Sequence, residues 1–417
     1  MWIDRSDIQG LVVSGYAAQP ASALVELCFG PEQGASARNF LRRLLPFVSS
    51  ASRRERFERC RIQVAFSASG LERLGLPEST LSGFSPEFIA GMADRARLLG
   101  DVGEDAPTSW DLGGPNRSIE ALVLVYAPDV ETREQKLDEI CEWLEKAELD
   151  YDWTETFLDV DQREHFGFRT GGSSPHYRGL SSWRRRRIPL GELLLGYATA
   201  DGRRLPSPTA PRPRSTRNLR LRHDGQVDLG RNGTYLVVRK LEQRVDPFWE
   251  RMRELVRETG GRLGDERAMA SKLVGRAPDG TALAGCPLGA HARRANPGPE
   301  LDPSPRTHQI LRRGRLYQQG GERGLMFVAL NADLAEQFEF VQRNFVNDPK
   351  FAGLRDERDP LLGSDDGGER RFTLQGDGIR TRLTLPRFVR LRGGGYFFLP
   401  SLSALAYLTE AGRRDGA

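Results

Sequence analysis

The sequence predicts an α+β fold built from two ferredoxin-like halves, each an antiparallel sheet with helices on one face. Three observations carry this expectation. Strand and helix signals alternate through residues 1–160. The alternation resumes through residues 233–417 as a distant repeat of the first. Between them, residues 161–232 form an irregular connecting segment rich in Gly, Pro, Ser and Arg.

In chain order, residues 8–16 (IQGLVVSGY) and 21–29 (ASALVELCF) read as strands, and residues 35–47 (ASARNFLRRLLPF) carry apolar side chains at helical spacing. Residues 62–67 (IQVAFS) read as a strand and 69–76 as a short helix opened by a serine cap. Residues 119–127 (IEALVLVYA) are a further strand. Residues 132–147 form an amphipathic helix with Leu137, Ile140, Cys141 and Leu144 on one side. After the connecting segment, whose stretch 206–217 (PSPTAPRPRSTR) is a loop by composition, residues 234–240 read as a strand and 248–258 as a helix. Strand 324–330 and helix 334–346 follow, then a short strand 396–399 and a closing helix 401–408. An irregular segment as long as 161–232 inside a compact protein is usually functional.

Hydrophobic content of 38% and charged content of 28% are ordinary for a soluble globular chain, and 417 residues suit two packed units. The net charge of +4 is too small to indicate nucleic acid. The run Arg184–Arg187 has no aromatic side chains interleaved, so it reads as a solvated or carboxylate-paired loop. Residues 1–20 lack the apolar core of a secretory signal, and no stretch reaches the ~20 apolar residues of a membrane helix. Cys28, Cys60, Cys141 and Cys286 are dispersed and form no CxxC pair, which disfavours a disulfide framework or structural zinc and suits the cytoplasm.

Only five histidines are available to any chemistry that needs an imidazole: His165, His176, His223, His291 and His308. His291 lies among small residues in 285–297 (GCPLGAHARRANP), where it can ligate iron, zinc or copper, act as a base, or serve a structural role. No second ligand cluster accompanies it, which argues against zinc, whereas haem needs only one protein ligand. Three other segments have the composition of a site. Residues 164–175 (EHFGFRTGGSSP) hold glycines that let backbone approach a ligand, though a plain turn is the favoured reading because glycine clusters are generic. Residues 310–314 (ILRRG) supply an arginine able to stabilise anionic oxygen, or a basic turn. Residues 323–327 (RGLMF) place Leu325 and Phe327 on one face of a strand, where ordinary core packing is the stronger reading of the segment by itself.

Taken in order, these segments resemble the dye-decolorizing (DyP-type) peroxidase family over nearly the whole chain. The resemblance includes DIQG (7–10), ASGLERLG (68–75), GELLLGY (191–197), NGTYLVV (232–238) and Gly275-Arg276. It continues through the His291 segment, ILRRG, RGLMF, FEFVQ (338–342) and YFFLPS (396–401). It implies a dimeric α+β barrel-like pairing of the two halves, with one haem b held in the C-terminal half. It implies His291 as the iron ligand and Arg312 as the distal arginine. It further implies that Leu325 and Phe327 line the distal cavity, and that Phe168, Arg169, Gly171, Gly172 and Ser173 pass over the haem edge. Hydrogen peroxide or dioxygen and a small organic substrate are the implied partners, with no nucleic acid or membrane, and a homo-oligomer left open.

Two positions depart from the family pattern. The family's GFxDG motif carries the distal acid–base aspartate, and here Thr170 stands at that position in Gly167-Phe168-Arg169-Thr170-Gly171. A threonine hydroxyl hydrogen-bonds but does not ionise near neutral pH. After the histidine, Asn296-Pro297 continues into Gly298 where the family often has arginine. The expected function is therefore a haem peroxidase in which Arg312, Thr170 and ordered water carry the peroxide step. The alternatives are a haem enzyme with changed chemistry on a biosynthetic intermediate, and a non-catalytic haem-binding protein.

Overall fold

The computed structural model describes residues 3–52, 60–170, 175–180, 188–210, 219, 221–222, 225–298, 300–302, 308–364, 367, 369–376 and 379–411. The arginine run 184–187, His223 and the glycine-rich stretch 171–173 lie outside these residues.

Four strands in the first half, β1 (Ala21–Cys28), β2 (Arg61–Phe66), β3 (Ala121–Ala127) and β4 (Asp150–Phe157), lie in the spatial order β4-β1-β3-β2. Four in the second half, β5 (Thr234–Gln243), β6 (Arg315–Gln319), β7 (Glu322–Asn331) and β10 (Val389–Leu399), lie as β10-β5-β7-β6. Both halves thus have the ferredoxin-like order with antiparallel pairing throughout, as the α+β expectation requires. The half-sheets meet at β10–β2 and β4–β6, where only Phe398↔Phe66 and Phe157↔Leu316 are in register. Eight strands therefore close into a barrel of two curved sheets. A hairpin of β8 (Arg370–Gly376) and β9 (Ile379–Leu385) stands outside it.

Side-chain alternation divides the core in two. Leu24, Leu122, Leu236, Val238, Met326 and Val328 fill the barrel interior, whereas Val25, Val64, Val123, Val237 and Ala329 face the helices outside. With both faces covered, β1 and β3 are buried almost end to end, which explains their unbroken apolar runs. Each fully buried large aliphatic side chain contributes roughly 1.5–3 kcal/mol. The outer helices present the faces their spacing predicts: Ala37, Phe40, Leu41 and Leu44 from Gly34–Leu44, and Leu137, Ile140 and Leu144 from Val130–Lys146. Asp129 caps the latter, accepting the Thr132 N–H at 2.7 Å.

The structure corrects the strand expected over residues 8–16. This segment makes a single turn at Gly10–Val12 and one bridge, Gln9 to Ser50. Its apolar side chains Ile8, Leu11 and Val12 plug the barrel interior, and an apolar run without alternation cannot distinguish a plug from a strand. Gln9 works as a surrogate strand beside the weak β10–β2 junction. Its side-chain amide bonds the Val64 carbonyl at 2.8 Å, the Val64 N–H at 2.9 Å and the Pro400 carbonyl at 2.9 Å. Residues 190–197 plug the interior as well, through Leu193, Leu194 and Tyr197. The expected helix over 334–346 is present but wound in two wide turns, Ala335–Glu339 and Gln342–Val346. The last strand runs well beyond 396–399, because the glycines at 393–395 hide its first half from any propensity reading.

Candidate haem site

The site lies on the outer face of the second-half sheet, where β7 meets the two-residue strand Leu311–Arg312. Ala329 pairs with Arg312, so both side chains leave the sheet on the same side as Leu325 and Phe327. Their neighbours Met326 and Val328 point inward and are buried, yet Leu325 and Phe327 remain only half-buried. This part of the helix-facing surface is apolar and incompletely covered, as a large flat apolar ligand would require.

His291 opens the short helix His291–Ala295. Its Nδ1 lies 3.0 Å from Oδ2 of Asp359, a fully buried carboxylate. The other oxygen, Oδ1, accepts the N–H groups of Leu361 and Leu362 at 2.8 and 2.9 Å. Burial drives the Asp359 carboxyl upward. The His291 charge and hydrogen bond, the Leu362 N–H and the Arg294 charge outweigh it, leaving the group below its ordinary value. Asp359 is thus an anion that holds the His291 ring by Nδ1, and Nε2 has no protein partner among the described residues. Gly289, just before the helix, packs closely: a Cβ there would lie 2.5 Å from Glu357 Oε1, so that side chain would have to shift.

The same helix is anchored by Arg294, whose side chain is completely buried. It donates to the carbonyls of Phe345, Asp348 and Glu357 at 2.7, 2.9 and 2.6 Å, to Gly289 at 3.2 Å, and lies over the Phe351 ring. One side chain therefore ties the histidine helix to the wide-turn helix and to the chain leading into Asp359. Replacing it, Arg294→Leu, leaves several carbonyls without donors. The unfolding free energy of the haem-free protein in urea should fall by about 3 kcal/mol, the scale of one or two orphaned buried acceptors.

Arg312 reaches this helix from the sheet, donating to the Ala295 carbonyl at 2.6 Å. Its side chain keeps some exposed surface, yet its charge is desolvated. Burial pushes the guanidinium down to about 10; Tyr177 pulls it back up and Arg276 adds to the fall. A cation fixed in so dry a place interacts strongly with any anionic oxygen brought beside it.

The segment 164–170 closes the edge of the site. Glu164 accepts the Phe166 and Phe168 N–H groups at 2.9 and 2.8 Å and the Gln243 side-chain amide from β5. Burial raises its carboxyl above the ordinary value, while these donors and the charge of His291 pull it down. Gly167 takes φ +94°, which a side chain would strain, and Arg163 clamps the turn through the Gly167 and Pro278 carbonyls at 2.8 and 2.6 Å. Phe168 is buried in the outer core, whereas Arg169 is exposed, its N–H on the Pro278 carbonyl at 3.1 Å. Thr170 spends its hydroxyl and its N–H on the Gln162 carbonyl, at 3.0 and 2.7 Å. Gly171, Gly172 and Ser173 fall outside the described residues.

The structure therefore brings the His291 helix, Arg312, Leu325 and Phe327 together, and links Arg312 to that helix directly. Among the described residues it gives Thr170 no hydrogen bond to them. Sequence reasoning missed Asp359, Arg294 and Glu164. Glu164 and Arg294 stood in segments already singled out, the one for its glycines and the other for His291, whereas Asp359 stood in none. Two of the other described histidines have different roles: His308 stacks on Phe340 with ring centroids 3.6 Å apart, and His165 bonds the Tyr317 carbonyl at 3.1 Å.

Comparison with known proteins shows the family to which this fold belongs. Residues 198–358 match the model described as the C-terminal Dyp-type peroxidase domain, and residues 46–150 match the DyP dimeric α+β barrel domain. The chain belongs to the dye-decolorizing peroxidase family. It is 28% identical to the multifunctional dye peroxidase DyP2 of Amycolatopsis sp., over 92% of each protein. It is 26% identical to the dye-decolorizing peroxidase msp1 of Mycetinis scorodonius, over 82% of this chain and 75% of the relative. Among solved folds, the DyP-type peroxidase of Anabaena sp. superimposes with a TM-score of 0.76 at 24% identity, covering 96% of this chain and 94% of that one. As a DyP-type protein the chain is an oxidoreductase enzyme, a haem-dependent peroxidase of organic substrates. The comparisons favour this over haem chemistry of another kind or a non-catalytic haem carrier.

Proposed function

We propose that this DyP-type enzyme holds one haem b per chain on His291 Nε2, with hydrogen peroxide as oxidant and a small organic molecule as reductant. The observation that carries the proposal is the Nδ1–Asp359 bond. It fixes one ring nitrogen and leaves the other without a protein partner among the described residues, which suits a histidine that would hold the iron. The haem supplies the redox chemistry when bound. The chain supplies the rest. Asp359 orients the imidazole and keeps its Nδ1 proton. Leu325 and Phe327 present an apolar wall that keeps water out. Arg312 offers a desolvated positive charge to anionic oxygen. The four free cysteines support placing the enzyme in the cytoplasm.

Proton movement is where this chain departs from its family. Thr170 does not ionise, and its hydroxyl already serves the Gln162 carbonyl. Glu164 is a carboxylate, but both its oxygens accept N–H donors, so it holds the loop rather than shuttling protons. Water bound near Arg312 is left to carry the proton. Thr170→Asp tests this reading. A positioned acid–base group contributes typically 10²–10⁴-fold, so kcat/KM for peroxide should rise by roughly 10²-fold. An unchanged value would place Thr170 outside the chemistry.

A further inference from the structure

A cavity opens at one end of the barrel, away from the haem face, with a volume of about 240 Å³. It is smaller than the roughly 300–1,000 Å³ of pockets for drug-sized ligands, so its occupant is compact. Its walls are inward-facing side chains at the strand ends: Glu26 of β1, Asp152 and Thr154 of β4, Lys240 of β5 and Glu322 of β7. Barrel interiors are ordinarily apolar at this depth, as Leu24 and Leu122 are one layer further in.

Most of the charges here are matched. Asp111 pairs with Lys240 at 3.3 Å and Arg392 at 3.0 Å. Asp152 pairs with Arg117 at 3.0 Å. Glu322 accepts the Tyr317 hydroxyl at 2.6 Å and pairs with Arg392 at 3.0 Å. Glu26 is the exception. It is 4% exposed, lines the cavity, and makes neither hydrogen bond nor ion pair among the described residues. Thr154, 5% exposed and diagonal to it across the β1–β4 pair, likewise has no partner for its hydroxyl. Burial, and then Asp152, raise the Glu26 carboxyl; Arg117 and Lys240 oppose this, Asp111 adds to it, and the net result is about 7. A buried carboxylate with no donor is costly, and so is a buried hydroxyl. Among the described residues no group of three acidic, histidine or cysteine side chains is arranged to hold a metal ion. What the cavity lacks is one positive charge bearing directional N–H donors.

We propose that the barrel mouth binds a compact organic monocation, a primary ammonium or guanidinium on a short apolar stem, with its N–H groups donated to the Glu26 carboxylate and the Thr154 hydroxyl. The occupant favours ionised Glu26, so binding at neutral pH releases a proton and strengthens as pH rises. Asp111, Asp152, Glu322, Lys240, Arg117 and Arg392 are the other charged groups facing this space, and all are already paired.

The test is calorimetric titration of the haem-loaded enzyme with methyl- to butylammonium and guanidinium chlorides at constant ionic strength. Saturable one-to-one binding of at least one of them is expected, tighter at about pH 8 than at about pH 6. Affinity should fall roughly tenfold or more in Glu26→Gln, and less in Thr154→Val. Wild-type titrations in two buffers of different ionisation enthalpy should show proton release near pH 7, a readout that needs no variant. Binding unchanged in Glu26→Gln, competition by potassium as strong as by the amines, or no saturation through the millimolar range would each overturn the proposal.

Discussion

His291→Ala is expected to give a folded protein that takes up no haem: the Soret band disappears while the far-ultraviolet circular dichroism is retained. The fold should survive because the short helix is anchored by Arg294 rather than by the histidine. A price is nonetheless expected. Removing the ring leaves Asp359 Oδ2 without its donor, although Oδ1 keeps the Leu361 and Leu362 N–H groups. That orphaned buried acceptor should lower stability by about 1–3 kcal/mol. The double variant His291→Ala/Asp359→Leu should recover part of the loss, since it removes both partners of the pair. The two effects separate ligation, read by absorbance, from packing, read by denaturation.

Arg312→Leu is expected to leave haem uptake in place while lowering kcat/KM for peroxide by roughly 10²–10³-fold, the scale of removing one preorganised donor from a dry site. Arg312→Lys should recover only part of this, because an ammonium keeps the charge but loses the planar fork. Steady-state turnover at saturating organic reductant measures both. A variant that loses haem and activity in parallel would instead assign Arg312 a structural role, through its bond to the Ala295 carbonyl.

These predictions rest on residues of differing visibility in the sequence. Arg312, Leu325 and Phe327 were legible because each sits in a compact motif and because strand alternation places the last two on one face. His291 was legible from scarcity and from the order of motifs around it. Asp359 was not, because it lies 68 residues further along the chain, beyond the wide-turn helix, in a stretch with no periodicity. Contact across such a distance is a property of packing. Glu164 was hidden for another reason: its segment drew notice for its glycines, while the work of its carboxylate depends on a turn that only the backbone reveals.

The fold shows the same division. Strands such as β1 and β3, apolar on both faces, were plain, and so were helices with one apolar stripe. Strand β4 (DYDWTETF) was missed because its inward residues Asp152 and Thr154 are polar, which inverts the usual alternation. That inversion is what makes the barrel mouth unusual. The segment 8–16 misled in the opposite sense, since a plug inside a barrel is as apolar as a strand.

Resonance Raman spectroscopy of the reduced haem protein tests the central claim, that His291 held by Asp359 ligates the iron. An iron–imidazole stretching band is predicted in the wild type, shifted to lower frequency in Asp359→Asn, where the ring loses its anionic partner, and absent in His291→Ala. The same band persisting in His291→Ala would contradict the account.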